Sequence, residues 1–517
     1  MKAPRVHDAP RPFFQSTEGA QTAERRLLLI SYHFPPGQAA GALRWQKLVP
    51  HVAARRWGLD VITLHPSCVD DPDMSRLARL SATRVYGIPD PMLPIERAEH
   101  AIWKMYRRIR SASFAAASAS HRGRAASRAV VKRADSLARA EIGWNITALP
   151  LSLRRAYFAG LEYRRSGRWS RRAAALALRL SQSSAYQAVI TCGPPHMAHE
   201  AGRRVALATG LPFVVDLRDP WSLVERLPEA IASPVWLALA RRYEQRAMAR
   251  ATLVIANTEP LRLALQAAYP AAADRTITVM NGYDDDVGAP RSRHGSRFTI
   301  AYAGSIYLDR DPRIFLTAAG RLVHQLRLQP RDFGIELMGT VSSHDGVPMD
   351  AIVRNAGLEG FVRTYRQGTR REALEFLANA TMLLSLPQDS DLAIPSKLFE
   401  YMSFDAWILA LADRGSATDR LLRDSDADVV KPHDADGILA VLSRRYREYA
   451  EGRRPTRLAV SPQLSRQHQA GVLLDALEQC LQAPRVVAPP RARPRPLHFR
   501  PEGLVAAVND KERRSSR

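Results

Sequence analysis

Residues 393–402 read Ala-Ile-Pro-Ser-Lys-Leu-Phe-Glu-Tyr-Met. Just upstream, Met382, Leu383, Leu384 and Leu386 make a short apolar run that predicts a buried strand. Pro395 and Ser396 then open a helix, because Ser is a favoured N-cap and Pro suits the chain just before a first turn. Free backbone N–H groups at such a start attract phosphate, and Lys397 adds positive charge. Glu400 lies one turn in and faces the same mouth as Ser396 by i,i+4 spacing. A carboxylate there accepts hydrogen bonds from ribose hydroxyls while the helix end holds a diphosphate. The stretch reads as a strand–loop–helix site for a nucleoside diphosphate; the plainer alternative is an ordinary capped helix with a surface Glu.

Outward from this stretch, strand and helix signals alternate. "RRLLLISYHFPP" is an unbroken apolar run followed by a loop, as in a strand buried on both faces, and Gly37 and Gly41 lead into a helix over 42–56. "LDVITLHP", "QAVITCG", "PFVVDLRD", "ATLVIANT" and "TITVMNG" continue the series, and "FTIAYAG", "FGIELMG", "FVRTYR" and "MLLSLP" begin a second unit. Such alternation predicts an α/β chain of two doubly wound, Rossmann-like domains. The expected layout is a disordered leader over 1–24, a first domain over 25–285, a polar linker over 284–297 and a second domain over 298–460. A helix over 463–482 is expected to return to the first domain. Residues 97–185 break the rhythm as a basic, helical Ala/Arg-rich insertion, and the tail 484–517, with Pro at 484, 489, 490, 494, 496 and 501, is expected to be disordered.

In open α/β sheets ligands bind beyond the carboxyl ends of the strands, which is where the remaining polar motifs fall. In "HFPPGQAAG" the glycines Gly37 and Gly41 permit close backbone approach, although the spacing is not that of a dinucleotide-binding loop. "AGSIYLDRDPR" offers Gly304 and Ser305 to a nucleotide, with Arg310 and Arg313 to neutralise a leaving phosphate. "PPHMAHE" places His196, His199 and Glu200 at a helix start, a spacing that lacks a carboxylate cluster and predicts packing or substrate contact rather than a metal. "DLRDPW" concentrates Asp216, Arg218 and Asp219 beside Trp221; an internal Arg–Asp pair is the alternative to a ligand contact. Asn281-Gly282 has the chemistry of a tight turn, read as structural. No nucleophile elbow and no P-loop is present.

"IPSKLFEYM" resembles the donor-site helix of retaining glycosyltransferases of family 4. The segments 27–45, 191–202 with 213–222, 253–286 and 300–322 resemble that family in the expected order. The resemblance spans most of residues 25–480. It implies the GT-B fold, two Rossmann-like domains facing a cleft. It further implies metal-independent transfer of a sugar, with retention, from a nucleoside-diphosphate sugar to an acceptor, and no cofactor. Gly304, Ser305, Ser396, Lys397 and Glu400 would bind the donor. Gly37, Gly41, His196 and Arg218 would line the acceptor side, and Arg310, Arg313 and Asp219 would serve catalysis. The sequence departs from the family where the first glutamate of E-x7-E would stand: position 392 is Leu392, with Asp389 and Asp391 nearby. A sugar-nucleotide epimerase of the same fold, or an inactive relative acting as a binding protein, is the alternative.

The 517 residues carry a net charge of +24. Residues 97–179 hold 19 Lys/Arg against 4 Asp/Glu, and residues 484–517 hold 9 against 3, so two segments account for 21 of the excess charges. Such patches attract phosphates, here an anionic membrane surface carrying a lipid-linked or saccharide acceptor of surface polysaccharide synthesis. They lack the interleaved aromatics and recognition modules of nucleic-acid binders, so no nucleic acid is expected. An Arg-rich proteome would raise the charge without any partner. Cys68, Cys192 and Cys480 are scattered and odd in number, which favours a reducing compartment over a disulfide framework. With Asp8, Glu18 and Glu24 near the start, no signal peptide is read, and no apolar run is long enough to span a bilayer. The expected location is the cytoplasm, peripheral to the inner face of the membrane.

Overall fold

The structure is a computed structural model that describes residues 13–69, 71–90, 93, 149–284, 295–388, 390–458 and 461–482. Its first sheet contains β1 (Phe13–Ser16), β2 (Arg25–Ser31), β3 (Trp57–Leu64), β4 (Thr83–Ile88), β5 (Tyr186–Gly193), β6 (Phe213–Leu217), β7 (Leu253–Ala256) and β8 (Thr276–Thr278). They run in the order β1-β4-β3-β2-β5-β6-β7-β8, parallel except at the edge strand β1. The chain continues through β9 (Phe298–Ser305) and β10 (Phe333–Thr340), a hairpin of β11 (Ser343–His344) and β12 (Val347–Pro348), then β13 (Val362–Tyr365), β14 (Met382–Ser385), β15 (Trp407–Leu411) and β16 (Asp428–Val430). Outside the hairpin these form a second, parallel sheet in the order β13-β10-β9-β14-β15-β16.

Strands sheathed on both faces need apolar side chains on both, which is why their sequences do not alternate. Leu28 and Ile30 of β2 join the helices Leu151–Ser183, Met197–Thr209 and Pro234–Arg250 in one core, while Leu27 and Leu29 join the helices Gly41–Ala54 and Arg466–Gln482 in another. In the second sheet Phe298, Ile300 and Tyr302 pack with the helices Arg313–Leu326 and Ala435–Ala450, and Ala301 with Arg370–Ala378 and Ser396–Tyr401. Each lobe is therefore doubly wound. The strand order reverses between β2 and β5 in the first sheet and between β9 and β14 in the second, and ligand crevices form at such switch points.

Several expectations change. Residues 13–24 are not a disordered leader: β1 pairs with β4, Phe13 meets His65 edge-on at 5.9 Å and Phe14 tilts on Tyr86 at 5.0 Å. Residues 1–12 lie outside the described residues. Of the basic segment 97–185, residues 97–148 also lie outside them. The rest is not an insertion: the 33-residue helix Leu151–Ser183 belongs to the first lobe's core, where Gly167, Ala173, Ala174 and Ala177 let it approach closely. Of the linker 284–297, residues 285–294 are outside the described residues, as is the tail from 483. Strands β4, β15 and β16 were not read from the sequence. Among the described residues no helix is long and apolar enough to cross a membrane.

Candidate active site

The loops that leave both switch points converge on one cavity of about 750 Å³. After β2 come His33 and Gly41, after β5 Pro194 to Met197, and after β6 Arg218 to Trp221; from the second lobe come Gly304 and Ser305 at the end of β9, Tyr307, Leu308 and Arg310 after it, and Ser390, Ala393 to Lys397 and Glu400 after β14. The cavity thus gathers Gly41, His196, Arg218, Asp219, Gly304, Ser305, Arg310, Ser396, Lys397 and Glu400 from positions up to 359 residues apart.

Its second-lobe floor is cationic and preset. Lys397 Nζ donates to Ala303 O at 2.9 Å and to Tyr302 Oη at 3.3 Å, and stands 4.3 Å above the Tyr302 ring. Gly304 leaves room for it: a Cβ there would meet the Lys397 ammonium and push it aside. The Arg310 guanidinium lies 4.6 Å over the Tyr307 ring at the rim. The helix Ser396–Tyr401 begins after Pro395 rather than after a capping Ser396; no side chain caps it, and it is only six residues long. The helix end expected at Ser396 is thus short and uncapped, and Lys397 and the β9 loop stand beside it in the cavity. Glu400 lines the cavity, but its Oε1 accepts from Arg370 Nη1 at 2.5 Å, leaving the other oxygen for a ligand.

The first-lobe wall is built on a buried ion pair. Asp216 holds Arg44 Nε at 2.8 Å and Trp45 Nε1 at 2.9 Å, and Arg44 reaches on to Asn281 Oδ1 at 3.1 Å and Val279 O at 2.9 Å. Asp216 is thus paired with Arg44, from outside the motif, while the internal Arg–Asp alternative is met by Arg218 and Asp219, an ion pair at 3.4 Å. Arg218 also lies across Gly41, where any Cβ would meet its guanidinium. Asn281, read as a turn residue, also lines the cavity. Gly282 beside it takes φ +70° and lies against Arg466 N, where a Cβ would come within 2.8 Å.

His196 stacks on Trp221 at 5.1 Å, and Trp221 Nε1 donates to Tyr163 Oη at 3.1 Å. His199 Nδ1 pairs with Thr191 Oγ1 at 2.8 Å. Burial keeps the imidazoles neutral. It pushes His199 down to about 4 and His196 well below the ordinary range, with His199 and Arg218 adding to the effect at His196. His33 is likewise pushed down to about 4 by burial, then by Arg218. Among the described residues no group of three or more His, Cys, Asp or Glu side chains is arranged to hold a metal ion.

Two of the candidate residues are elsewhere. Gly37 closes a turn, its N donating to Phe34 O at 3.0 Å and its O accepting from Arg76 at 2.6 Å, and it does not reach the cavity. Arg313 opens the helix Arg313–Leu326 and is held by Asp311 at 2.6 Å and Asp345 at 3.2 Å, so its charge is already compensated away from the cleft. Leu392 packs on the first lobe's core, and its O accepts from Thr258 Oγ1 at 2.5 Å. Asp391 N donates to Glu225 Oε2 at 2.7 Å, so this loop ties the lobes together; Asp389 lies outside the described residues.

Sequence reasoning missed His33, Tyr163, Tyr307 and Trp236, all in the cavity wall. His33 and Tyr307 had a signal, each standing within two or three residues of a strand's carboxyl end; Tyr163 and Trp236 sit inside helices and had none.

No family model matches the chain. No curated protein matches it either. Among solved structures it is similar to a glycosyltransferase from Rickettsia africae at 10% identity and TM-score 0.52, over 89% of this chain and 99% of that one. It is also similar to a UDP-forming α,α-trehalose-phosphate synthase from Burkholderia xenovorans, solved with glucose-6-phosphate, at 13% identity and TM-score 0.51, over 89% of this chain and 100% of that one. A third is the α,α-trehalose 6-phosphate synthase of Burkholderia multivorans, at 12% identity and TM-score 0.52, over 88% and 99%. At such identities the likeness shows the fold: two Rossmann-like lobes facing a cleft, the GT-B architecture.

Proposed function

We propose that the chain is a glycosyltransferase that moves a sugar from a nucleoside-diphosphate donor held by the second lobe to an acceptor held by the first. The observation that carries this reading is the preset cation beneath Gly304. Lys397 is fixed by Ala303 and Tyr302 at the second switch point, across the cleft from Arg218 and Gly41. A leaving diphosphate needs positive charge that does not have to reorganise, and a charge held by hydrogen bonds before the ligand arrives meets that need. Arg310 at the rim adds a second cation, and the free oxygen of Glu400 would take the ribose. Closing two lobes on both substrates supplies the orientation that makes transfer effectively intramolecular.

The resemblance to family 4 adds retention of configuration and independence from metal to this proposal. Among the similar structures one is named UDP-forming, so UDP is the first nucleotide to try. The arginines of the helix Leu151–Ser183 support a finer proposal, docking on an anionic membrane; charge reversal of several of them should abolish binding to anionic liposomes.

Calorimetry with UDP, GDP, dTDP and ADP tests the donor site. One nucleotide should saturate it and Lys397→Ala should weaken that binding; failure of all four would sink the reading.

A further inference from the structure

The charges of the first-lobe wall cancel in pairs, with one exception. Arg44 is held by Asp216 at 2.8 Å, Arg218 by Asp219 at 3.4 Å, and Arg226 by Asp309 of the second lobe at 3.6 Å. His33 and His196, also in this wall, are kept neutral by burial. The exception is Glu162, which lines the cavity from the helix Leu151–Ser183 and forms no ion pair among the described residues. The other carboxylates of the lining differ in this respect: Asp219 is the partner of Arg218, and Glu400 accepts from Arg370 at 2.5 Å.

This is not for want of arginines nearby. The helix carries eight of them against this one glutamate, yet none of the eight lines the cavity. Arg165, one turn on, is turned to Asp90 at 3.4 Å. Ser166, at i+4, lines the cavity on the same face as Glu162, and its Oγ donates to Glu162 O at 2.7 Å. Its proton is therefore used, and what it offers the cavity is an acceptor. Partial burial pushes the Glu162 carboxyl above the usual carboxylate range, and the Trp236 indole N–H eases only part of that. A glutamate on a basic helix ordinarily sits in solvent beside a basic neighbour. Here the acidic residue faces the ligand space and its basic neighbours do not.

A wall with one uncancelled negative charge and two hydrogen-bond acceptors a helical turn apart suits donors, either hydroxyls or an ammonium. It opposes an anion, because two like charges a few ångströms apart in a cleft lower affinity about tenfold or more. We infer that Glu162 is a charge filter for the acceptor: with Ser166 it receives hydroxyl or ammonium donors of a saccharide unit and turns away units that carry an anionic group. This rests on the glycosyltransferase reading and adds to it a selection rule set at one residue.

The test uses the full chain and saturation-transfer NMR, which reads weak sugar binding. The probes are the methyl glycosides of glucose, galactose and mannose, each with its amino-sugar counterpart and its uronate. Pyrophosphate is present throughout to occupy the second-lobe floor. For at least one skeleton the neutral and amino forms should bind, and the uronate should bind about tenfold more weakly or worse. Glu162→Gln, which keeps the shape, should close that gap to within about twofold, and Glu162→Arg should reverse it. If the thermal transition of one variant shows that it does not fold, the other decides. A uronate bound as tightly as its neutral sugar, a gap unchanged in the variant that folds, or no binding by any probe overturns the inference. Nucleotide calorimetry is scored separately. Nucleotide binding without the charge order removes the filter and leaves the donor reading standing, and the charge order without nucleotide binding does the reverse.

Discussion

Lys397 has its ammonium fixed before any ligand arrives, as Arg44 has its guanidinium in the opposite wall. Arg313 is held by Asp311 and Asp345 away from the cavity, whereas Lys397 lines it, held by a carbonyl, a hydroxyl and a ring. A charge-assisted hydrogen bond contributes about 1.5–3 kcal/mol, so Lys397→Ala should weaken nucleoside-diphosphate binding roughly tenfold to hundredfold by calorimetry. Gly304→Ala should do the same through displacement of the lysine, and Ser305→Ala should not. Acid acts at another residue. His199 is fully buried and pushed down to about 4, so the unfolded chain takes up its proton first as pH falls below about 6.5. Stability is therefore complete above about pH 6.5 and is lost toward pH 4, by roughly 3 kcal/mol for this residue. Denaturant unfolding across that window should show the slope, and His199→Gln should flatten it. A slope unchanged in the variant would assign the loss to other groups.

At the scale of elements, the loop from β14 to the helix Ser396–Tyr401 does two tasks. Ser390, Ala393 and Ile394 line the cavity, while Leu392 turns away to the first lobe's core and its carbonyl accepts from Thr258. Leu392→Asp would bury an unpaired charge in that contact, costing about 1–3 kcal/mol and loosening the bridge, visible as a larger radius of gyration in small-angle scattering. Leu392→Met should change neither. This loop also marks how far the sequence could be read. Strands such as β9 and β14 were legible because both their faces are buried and their apolar runs are unbroken. The loops after them could be placed at the ligand by the switch-point rule alone. Phe13–Ser16 escaped because a four-residue edge strand with alternate residues exposed has too little pattern to stand out from a polar leader. Trp407–Leu411 is as apolar as its neighbours but lies five residues past a helix that drew the reading toward the site. Arg313 and Gly37 were misplaced for a different reason: spacing locates a residue on a loop, and only the fold shows that Asp311 or Arg76 has already claimed it. Tyr163 and Trp236 were invisible because aromatic residues inside helices are far more often core than ligand contacts.

At the scale of the molecule, the chain leaves the first lobe, builds the second and returns. The outgoing and returning segments are joined where they pass: Tyr283 bridges to Ser465, Met280 N donates to Gln469 Oε1 at 2.6 Å, and Arg466 reaches Asp284 at 2.5 Å and Gly282 O at 2.9 Å. Lys47 of the first lobe holds the same Asp284 at 2.9 Å. Beyond this crossing the helix Arg466–Gln482 lays Ala470, Leu473, Leu474 and Leu477 into the same core as Leu27, Trp45 and Val49. The first lobe is thus completed by residues that follow the second, and neither can be cut free without exposing that core. Leu474→Ala should cost about 2–5 kcal/mol, the range for a large-to-small change at a buried site. The loss belongs to both lobes if the crossing couples them: tryptophan fluorescence, which reports Trp45 and Trp169 of the first lobe and Trp407 of the second, should show one transition moved to lower denaturant. Leu442→Ala, buried wholly in the second lobe's core, should move that same transition by a comparable amount. Two resolved transitions, with each variant shifting only its own, would mean that the returning helix is a cover on the first lobe and that the lobes unfold independently.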